Sequence, residues 1–413
     1  MRHKFIYGAV LSALILGAIG CSSGGTGDTA GGTSGASSTG GTAASGDGIK
    51  IGLVASQNGE LKPWGDDSVK GAQLAVEEFN KAGGVDGKPV NLMIGDSNSK
   101  PEVGKSAAEK LMSDGAIGIL GEVASGITMQ MEQAAEPKGV PVIAIGATRT
   151  DLTQGHDNIF RVCYTDAFQG PVMAKFAYDE LGLRNVALMT DQKQPYSTGL
   201  SDSFREYFTK LGGHIVDEQK YESGQTNFQG QLTQIKAKNP DGLFMSGYFN
   251  ETGPIARQAK DAGLNVKMLG GDGWDSNEIL QSGGDAIVGQ YFCNHYNNKE
   301  DRPEVKDFLA KWAAKYNGTQ PATTMGALAY DATMLMCDSL KRAKTKDSKG
   351  LRDAIADTVD FAGVSGKITL KGHGGDPPKR ALVVQLTNDP KNPQTFAKAY
   401  DMDPNTKEPV AAP

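Results

Sequence analysis

From Ile49 onward, apolar runs of strand length alternate with amphipathic runs of helix length, and this alternation most restricts what the chain can become. Ile49 to Ala55 is a short apolar run. Asp67 to Ala82 then places Val69, Ala72, Val76 and Phe79 at helical spacing, with Ala75 widening the stripe. Strand-like runs recur at Pro89 to Ile94, Ala116 to Leu120 and Val140 to Ile145, with helical segments between them. Such βαβ alternation predicts a parallel sheet covered by helices on both faces. A second series follows, with strands at Asn185 to Thr190, His214 to Val216, Gly242 to Met245 and Val266 to Leu269, separated by helices such as Ser197 to Leu211 and Thr252 to Ala262. At 413 residues the chain exceeds what one hydrophobic core organises. The expected fold class is therefore α/β, with two doubly wound, Rossmann-like lobes.

The first twenty residues have a different character. Arg2, His3 and Lys4 form a basic start, and Phe5 to Ile19 is an apolar run short for a permanent membrane span. It ends in Ala18-Ile19-Gly20-Cys21, which resembles the lipobox of bacterial lipoproteins. The resemblance implies a lipoprotein signal peptide over 1–20 and a diacylated Cys21 as new N-terminus; the alternative is an ordinary secretory signal with a chance cysteine. Ser22 to Gly48 is almost wholly Ser, Gly, Thr and Ala, a composition that serves as a flexible tether and cannot bury enough apolar surface to fold. No later stretch is long and apolar enough to cross a bilayer, so the body is expected to be soluble.

Charge narrows the partners. The formal net charge is -6, and removal of residues 1–20, which carry Arg2 and Lys4 but no acid, takes it to -8. An acidic protein argues against nucleic acid, whose phosphates it repels. No G-x-G-x-x-G follows Ile49 to Ala55, and neither G-x-x-x-x-G-K-[ST] nor H-E-x-x-H occurs, so catalysis finds no motif to stand on. Five histidines, none in a C-x-x-C or H-x-x-x-H setting, give a metal or cofactor no support. Beyond Cys21 there are three cysteines: Cys337 lies in a helical apolar run and reads as core, whereas Cys163 and Cys293 each close a strand-like run, and whether they bridge stays open.

In open α/β sheets small molecules bind beyond the carboxyl ends of the strands, where loops lead into helix N-termini. Four such loops carry groups suited to a zwitterion. Those loops also lie within a longer resemblance. Ile49-Lys50-Ile51-Gly52-Leu53-Val54 and Gly71 to Lys88 (GAQLAVEEFNKAGGVDGK) resemble the opening of the type I periplasmic binding proteins of the leucine/isoleucine/valine-binding family. The likeness continues through Gly121-Glu122-Val123-Ala124-Ser125, Gly139-Val140-Pro141-Val142-Ile143, Asn158-Ile159-Phe160-Arg161, Thr226-Asn227-Phe228 and Asn239-Pro240-Asp241, and spans essentially Ile49 to Asp401.

The resemblance implies two lobes joined by a hinge, 49–165 with about 296–375 and 166–295 with about 376–402, followed by a tail over 403–413. It also implies residue roles. Ser125 resembles the serine that binds the ligand carboxylate, with a plain helix cap as the alternative. Thr148 is similar to the threonine that binds the α-groups, with a turn residue as the alternative, and Gly146 offers backbone at close approach. Tyr196 matches the tyrosine covering the ligand from the second lobe; the alternative is a hydrophobic staple with Ser197 as cap. Asp272 matches the acid that pairs with the ligand α-ammonium, while Asp275 and Glu278 have cap-box-like spacing for the next helix. Trp64 and Tyr248 match positions of aromatic residues around the ligand side chain, and Glu122 and Val123 adjoin Ser125 at the side-chain pocket. The implied function is a lipid-anchored, extracytoplasmic, monomeric component of an ABC importer that binds an amino acid, branched-chain or related, and hands it to a membrane permease. A sensor of the same fold, or a binder of an amide, urea or aromatic acid, is the alternative.

Overall fold

The computed structural model describes residues 48–412; the signal segment, Cys21 and nearly all of the tether lie outside the described residues. Two sheets organise what is described. The first has five strands: β1 (Ile49–Ala55), β2 (Val90–Asp96), β3 (Ile119–Leu120), β4 (Val142–Ala144) and β5 (Ile159–Arg161). They are all parallel in the order β2-β1-β3-β4-β5. Helices α1 (Lys62–Lys81), α2 (Pro101–Ser113) and α3 (Ser125–Ala135) make the crossovers. The central strands are buried on both faces, β1 from Ile51 onward and β3 and β4 throughout, and those stretches carry no charged residue.

After β5 the chain forms α4 (Asp166–Lys175) and enters the second sheet. Its parallel part comprises β6 (Asn185–Asp191), β7 (His214–Tyr221), β8 (Gly242–Met245), β9 (Lys267–Gly270) and β10 (Tyr291–Asn294). The order β7-β6-β8-β9-β10 repeats the winding of the first sheet. Helices α5 (Pro195–Lys210), α6 (Gln229–Ala237), α7 (Phe249–Asp261) and the short α8 (Glu278–Gly283) cover it. The chain then supplies α9 (Pro303–Lys315), α10 (Met325–Arg342) and α11 (Ser348–Ala356), of which α10 packs along α1. A small hairpin, β11 (Phe361–Gly363) and β12 (Gly366–Ile368), precedes the return to the second sheet. There β13 (Ala381–Leu386) pairs antiparallel with β10 and β14 (Gln394–Met402) with β13. The stretch 403–413, expected to be a tail, instead supplies β15 (Pro409–Ala411), which completes the sheet against β14.

Three helix starts also differ from expectation: α7 begins at Phe249 rather than Thr252, and the other two share a cause. The α1 helix begins at Lys62 rather than Asp67, and α5 at Pro195 rather than Ser197, each with a proline in its first two positions. Proline suits that place because its missing N–H would lack a helical partner anyway. Trp64 and Tyr196 therefore sit in first helical turns, not in loops.

Candidate functional site

In both sheets the winding direction reverses between the first and third strands, and the crevice beyond the carboxyl ends there is where such sheets hold ligands. In the first sheet Trp64 follows β1, Val123 and Ser125 follow β3, and Gly146 and Thr148 follow β4. In the second, Tyr196 follows β6, Tyr248 follows β8 and Asp272 follows β9. The two sets face each other. Trp64, Val123 and Gly146, with Met325 at the start of α10, meet Tyr196, Tyr248, Asp272 and Gly273 around one cavity of about 10 Å3.

Three aromatic rings stand in its wall. Tyr196 and Tyr248 stack at 5.1 Å between centroids, and Trp64 stands edge-on to Tyr248 at the same distance. The Trp64 indole Nε1 donates to the Asp275 carbonyl at 2.7 Å, tying α1 to the loop that carries Asp272. Tyr196 Oη accepts from Gly273 N at 2.9 Å, which fixes that loop from the other side. Burial, and next the negative charge of Asp272, push both tyrosine hydroxyls well above their usual range, so they act as neutral groups. Tyr248 Oη is buried and has no hydrogen-bond partner among the described residues.

Asp272 is the carboxylate on this wall, 3% exposed. Its Oδ1 accepts from Gln169 Nε2 at 3.0 Å, and its Oδ2 lies 3.0 Å from His295 Nε2. Gly146 lies close under Val123 and Met325: a Cβ there would come 2.9 Å from Met325 Sδ and 3.0 Å from Val123 Cγ1. A larger residue would thus push these two side chains into the cavity.

Ser125 and Thr148 are buried beside the cavity rather than lining it. Ser125 Oγ accepts from Arg149 N at 3.3 Å, and α3 has no side-chain cap, so Ser125 is not a capping residue here. Thr148 Oγ1 accepts from Gln169 Nε2 at 3.3 Å. Ser197 does not cap α5 either: its hydroxyl accepts from Asp191 N at 2.8 Å and bonds Ser246. Glu122 departs from the expected pocket position. Its carboxylate turns inward and accepts from Ser56 Oγ, Ser97 Oγ and the amides of Val123 and Ala124, leaving the pocket face to Val123. Asp275 is not a cap: α8 begins after Asn277 with no side-chain cap bond. Asp275 is fully buried and accepts from Thr324 N, Thr324 Oγ1 and Gln394 Nε2.

Sequence reasoning missed Met325, Gln169, His295 and Arg149. Met325 and His295 lie far along the chain from any motif, and only the packing of α10 and the end of β10 brings them here. Cys163, Cys293 and Cys337 are buried free thiols. Among the described residues no helix is long and apolar enough to cross a membrane.

Residues 48–391 match the family model described as periplasmic binding protein. The Leu/Ile/Val-binding protein homolog 3 of Brucella melitensis is 32% identical over 328 residues, which cover 79% of this chain and 88% of that protein. Among solved structures, the leucine binding protein LivK from Thermotoga maritima aligns with a TM-score of 0.80 at 33% identity, covering 85% of this chain and 98% of that one. LivJ from Streptococcus pneumoniae, a branched-chain amino acid transporter substrate binding protein solved with isoleucine, aligns with a TM-score of 0.79 at 32% identity, covering 88% and 100%.

Proposed function

The chain belongs to the periplasmic binding protein family, and on that premise we propose that it is the solute-binding component of an ABC importer and takes a small aliphatic amino acid between its lobes. The observation that carries this reading is the single carboxylate, Asp272, set in a wall otherwise formed by Trp64, Val123, Tyr196, Tyr248 and Met325. An ammonium enters a dry cleft at tolerable cost only where a carboxylate meets it, and an apolar remainder suits an aliphatic side chain. Ser125 and Thr148, beside the N-terminus of α3, are the proposed partners of the ligand carboxylate, with the helix end adding its partial positive charge. Gly146 contributes backbone at close range.

The lobes are proposed as 49–165 with 296–375 and 166–295 with 376–402, the latter extended by β15. One chain supplies both walls, so the working unit is a monomer, which sedimentation would check. The protein would act outside the cytoplasm, held to the membrane by acyl chains on Cys21 and delivering to a permease. Intact mass of membrane-extracted protein should show those chains, and an unmodified N-terminus would remove the anchor.

The deciding experiment for the ligand is a thermal-shift panel followed by calorimetric titration. A ligand at 100 times its Kd stabilises the native state by about 2.7 kcal/mol. L-Leucine, L-isoleucine or L-valine should raise the melting temperature. A response to amides, urea or aromatic acids alone would overturn the amino-acid reading.

A further inference from the structure

Behind the cavity wall runs a buried row of hydrogen-bonded polar groups. Gln169, on α4, sets its Nε2 between two carboxylates, 2.7 Å from Asp166 Oδ1 and 3.0 Å from Asp272 Oδ1. Its Oε1 accepts from Asp272 N at 3.2 Å, so the amide orientation is fixed from both ends. On the far side Asp272 Oδ2 meets His295 Nε2, and the His295 ring stacks on Tyr164 at 4.1 Å. Asp166, Gln169 and His295 are buried, and neither Asp166 Oδ2 nor His295 Nδ1 has a partner among the described residues.

Two carboxylates bridged by one amide in a dry place resist being ionised together. The two arginines that face Asp166 are both engaged elsewhere. Arg161 of β5 faces Asp166 but is engaged with Asp376 and with the carbonyls of Ala147 and Arg149. Arg149 also faces Asp166, yet it is paired with Asp151 and donates to Pro195 O. Around Asp272, the hydroxyls of Tyr164, Tyr196 and Tyr248 and the thiols of Cys163 and Cys293 are all pushed upward by burial first and stay neutral. Burial, and next the charge on Asp272, raise the Asp166 carboxyl to about 7.

We propose that Asp166 is a proton store for the ammonium site: when an amino acid docks its ammonium on Asp272, the Asp166 carboxyl gives its proton to solvent, so that capture is coupled to proton release. The charge balance favours this. Docking brings one positive charge to the row and release of the Asp166 proton removes one, so the net charge of the row is unchanged while the ligand keeps all its protons. Asp166 acts through Gln169 and Asp272 and is a positioning residue. The inference rests on the amino-acid reading above and goes beyond it.

The test is calorimetric titration of the protein with L-isoleucine at pH 7 in phosphate and in Tris, buffers of small and large ionisation heat. The enthalpies should differ by the heat of protonating the buffer, corresponding to up to about half a proton released per ligand, because a group titrating near 7 is about half protonated there. Affinity should rise by up to about tenfold from pH 6 to pH 8. Asp166→Asn should bind with equal enthalpies in both buffers and with affinity independent of pH over that range. Tight binding with equal enthalpies in the parent overturns the proposal. So does a buffer dependence that persists in Asp166→Asn, which would place the proton elsewhere, as on His295. The parent measurement decides even if the variant does not fold. No heat with any amino acid in either buffer would instead sink the functional reading on which the proposal stands.

Discussion

Asp272 and Asp275 stand three residues apart and do different work. Asp272 faces the cavity with Gln169 and His295 behind it, whereas Asp275 faces away and is saturated by Thr324 and Gln394. If Asp272 receives the ligand ammonium, Asp272→Ala leaves that cation unpaired in a closed cleft, at a cost of about 3 to 5 kcal/mol. Affinity should then fall by about two to four decades, measured by calorimetry, and an unchanged Kd would show that the ammonium has another partner. Asp275→Ala should act on the fold, because each donor it strands costs about 1 to 3 kcal/mol when buried. A denaturant midpoint matching the parent would contradict that account. The sequence distinguished the cavity-facing acid from its neighbour but misread what the neighbour does. The 275–278 spacing suggests a local capping box, and nothing local reveals that Thr324, 49 residues on, is the true partner. Glu122 is the same case: its neighbours in sequence suggest the pocket, while Ser56 and Ser97 draw it inward.

Elements were legible where burial is symmetrical. The inner parallel strands, apolar on both faces, were located to within a few residues from composition alone. In the edge strand β7 the apolar signal stops at Val216 while the strand runs to Tyr221; its second half, Asp217 to Lys220, is polar, as befits an edge that must not recruit another chain. On the helical side, α3 holds a liability that pH should expose. Glu132 is buried there, its Oε1 without a partner among the described residues, and burial raises its carboxyl to about 9, with Arg161 only partly offsetting this. A raised carboxyl keeps its proton in the native state while the unfolded chain releases it near the ordinary value. The native state therefore binds more protons between about 4.5 and about 9, and stability is fully present below that window and falls as pH rises through it. Glu132→Gln keeps the shape without the ionisation. It should be more stable than the parent at pH 8 by up to about 5 kcal/mol, and little different at pH 4, in urea titrations. Equal differences at both pH values would show that Glu132 is not the group responsible.

At the scale of the molecule, the cavity is smaller than any amino acid, so a ligand enters only if the two sheets move apart and then return. Among the contacts that hold them together are Trp64 Nε1 to Asp275 O, Thr324 to Asp275 Oδ2, Gln169 Nε2 to Thr148 Oγ1, and Arg149 Nη1 to Pro195 O at 2.7 Å with Thr198 Oγ1 at 3.4 Å. Each joins a residue placed with the first sheet to one placed with the second. The walls of the cavity come from both, so a ligand makes its full set of contacts only when they are close, and it should shift the population toward that state in proportion to this difference. Arg149 is the informative position, because it bridges the sheets without touching the cavity. Losing its cross-lobe hydrogen bonds costs about 0.5 to 1.5 kcal/mol of the closed form. Arg149→Ala should therefore weaken amino-acid binding by roughly two- to tenfold. The same variant should have a larger radius of gyration before ligand is added and the parent's value once saturated, measured by small-angle scattering. Parent curves that superpose with and without saturating L-isoleucine, in a sample calorimetry shows to be bound, would rule out closure as the means of capture.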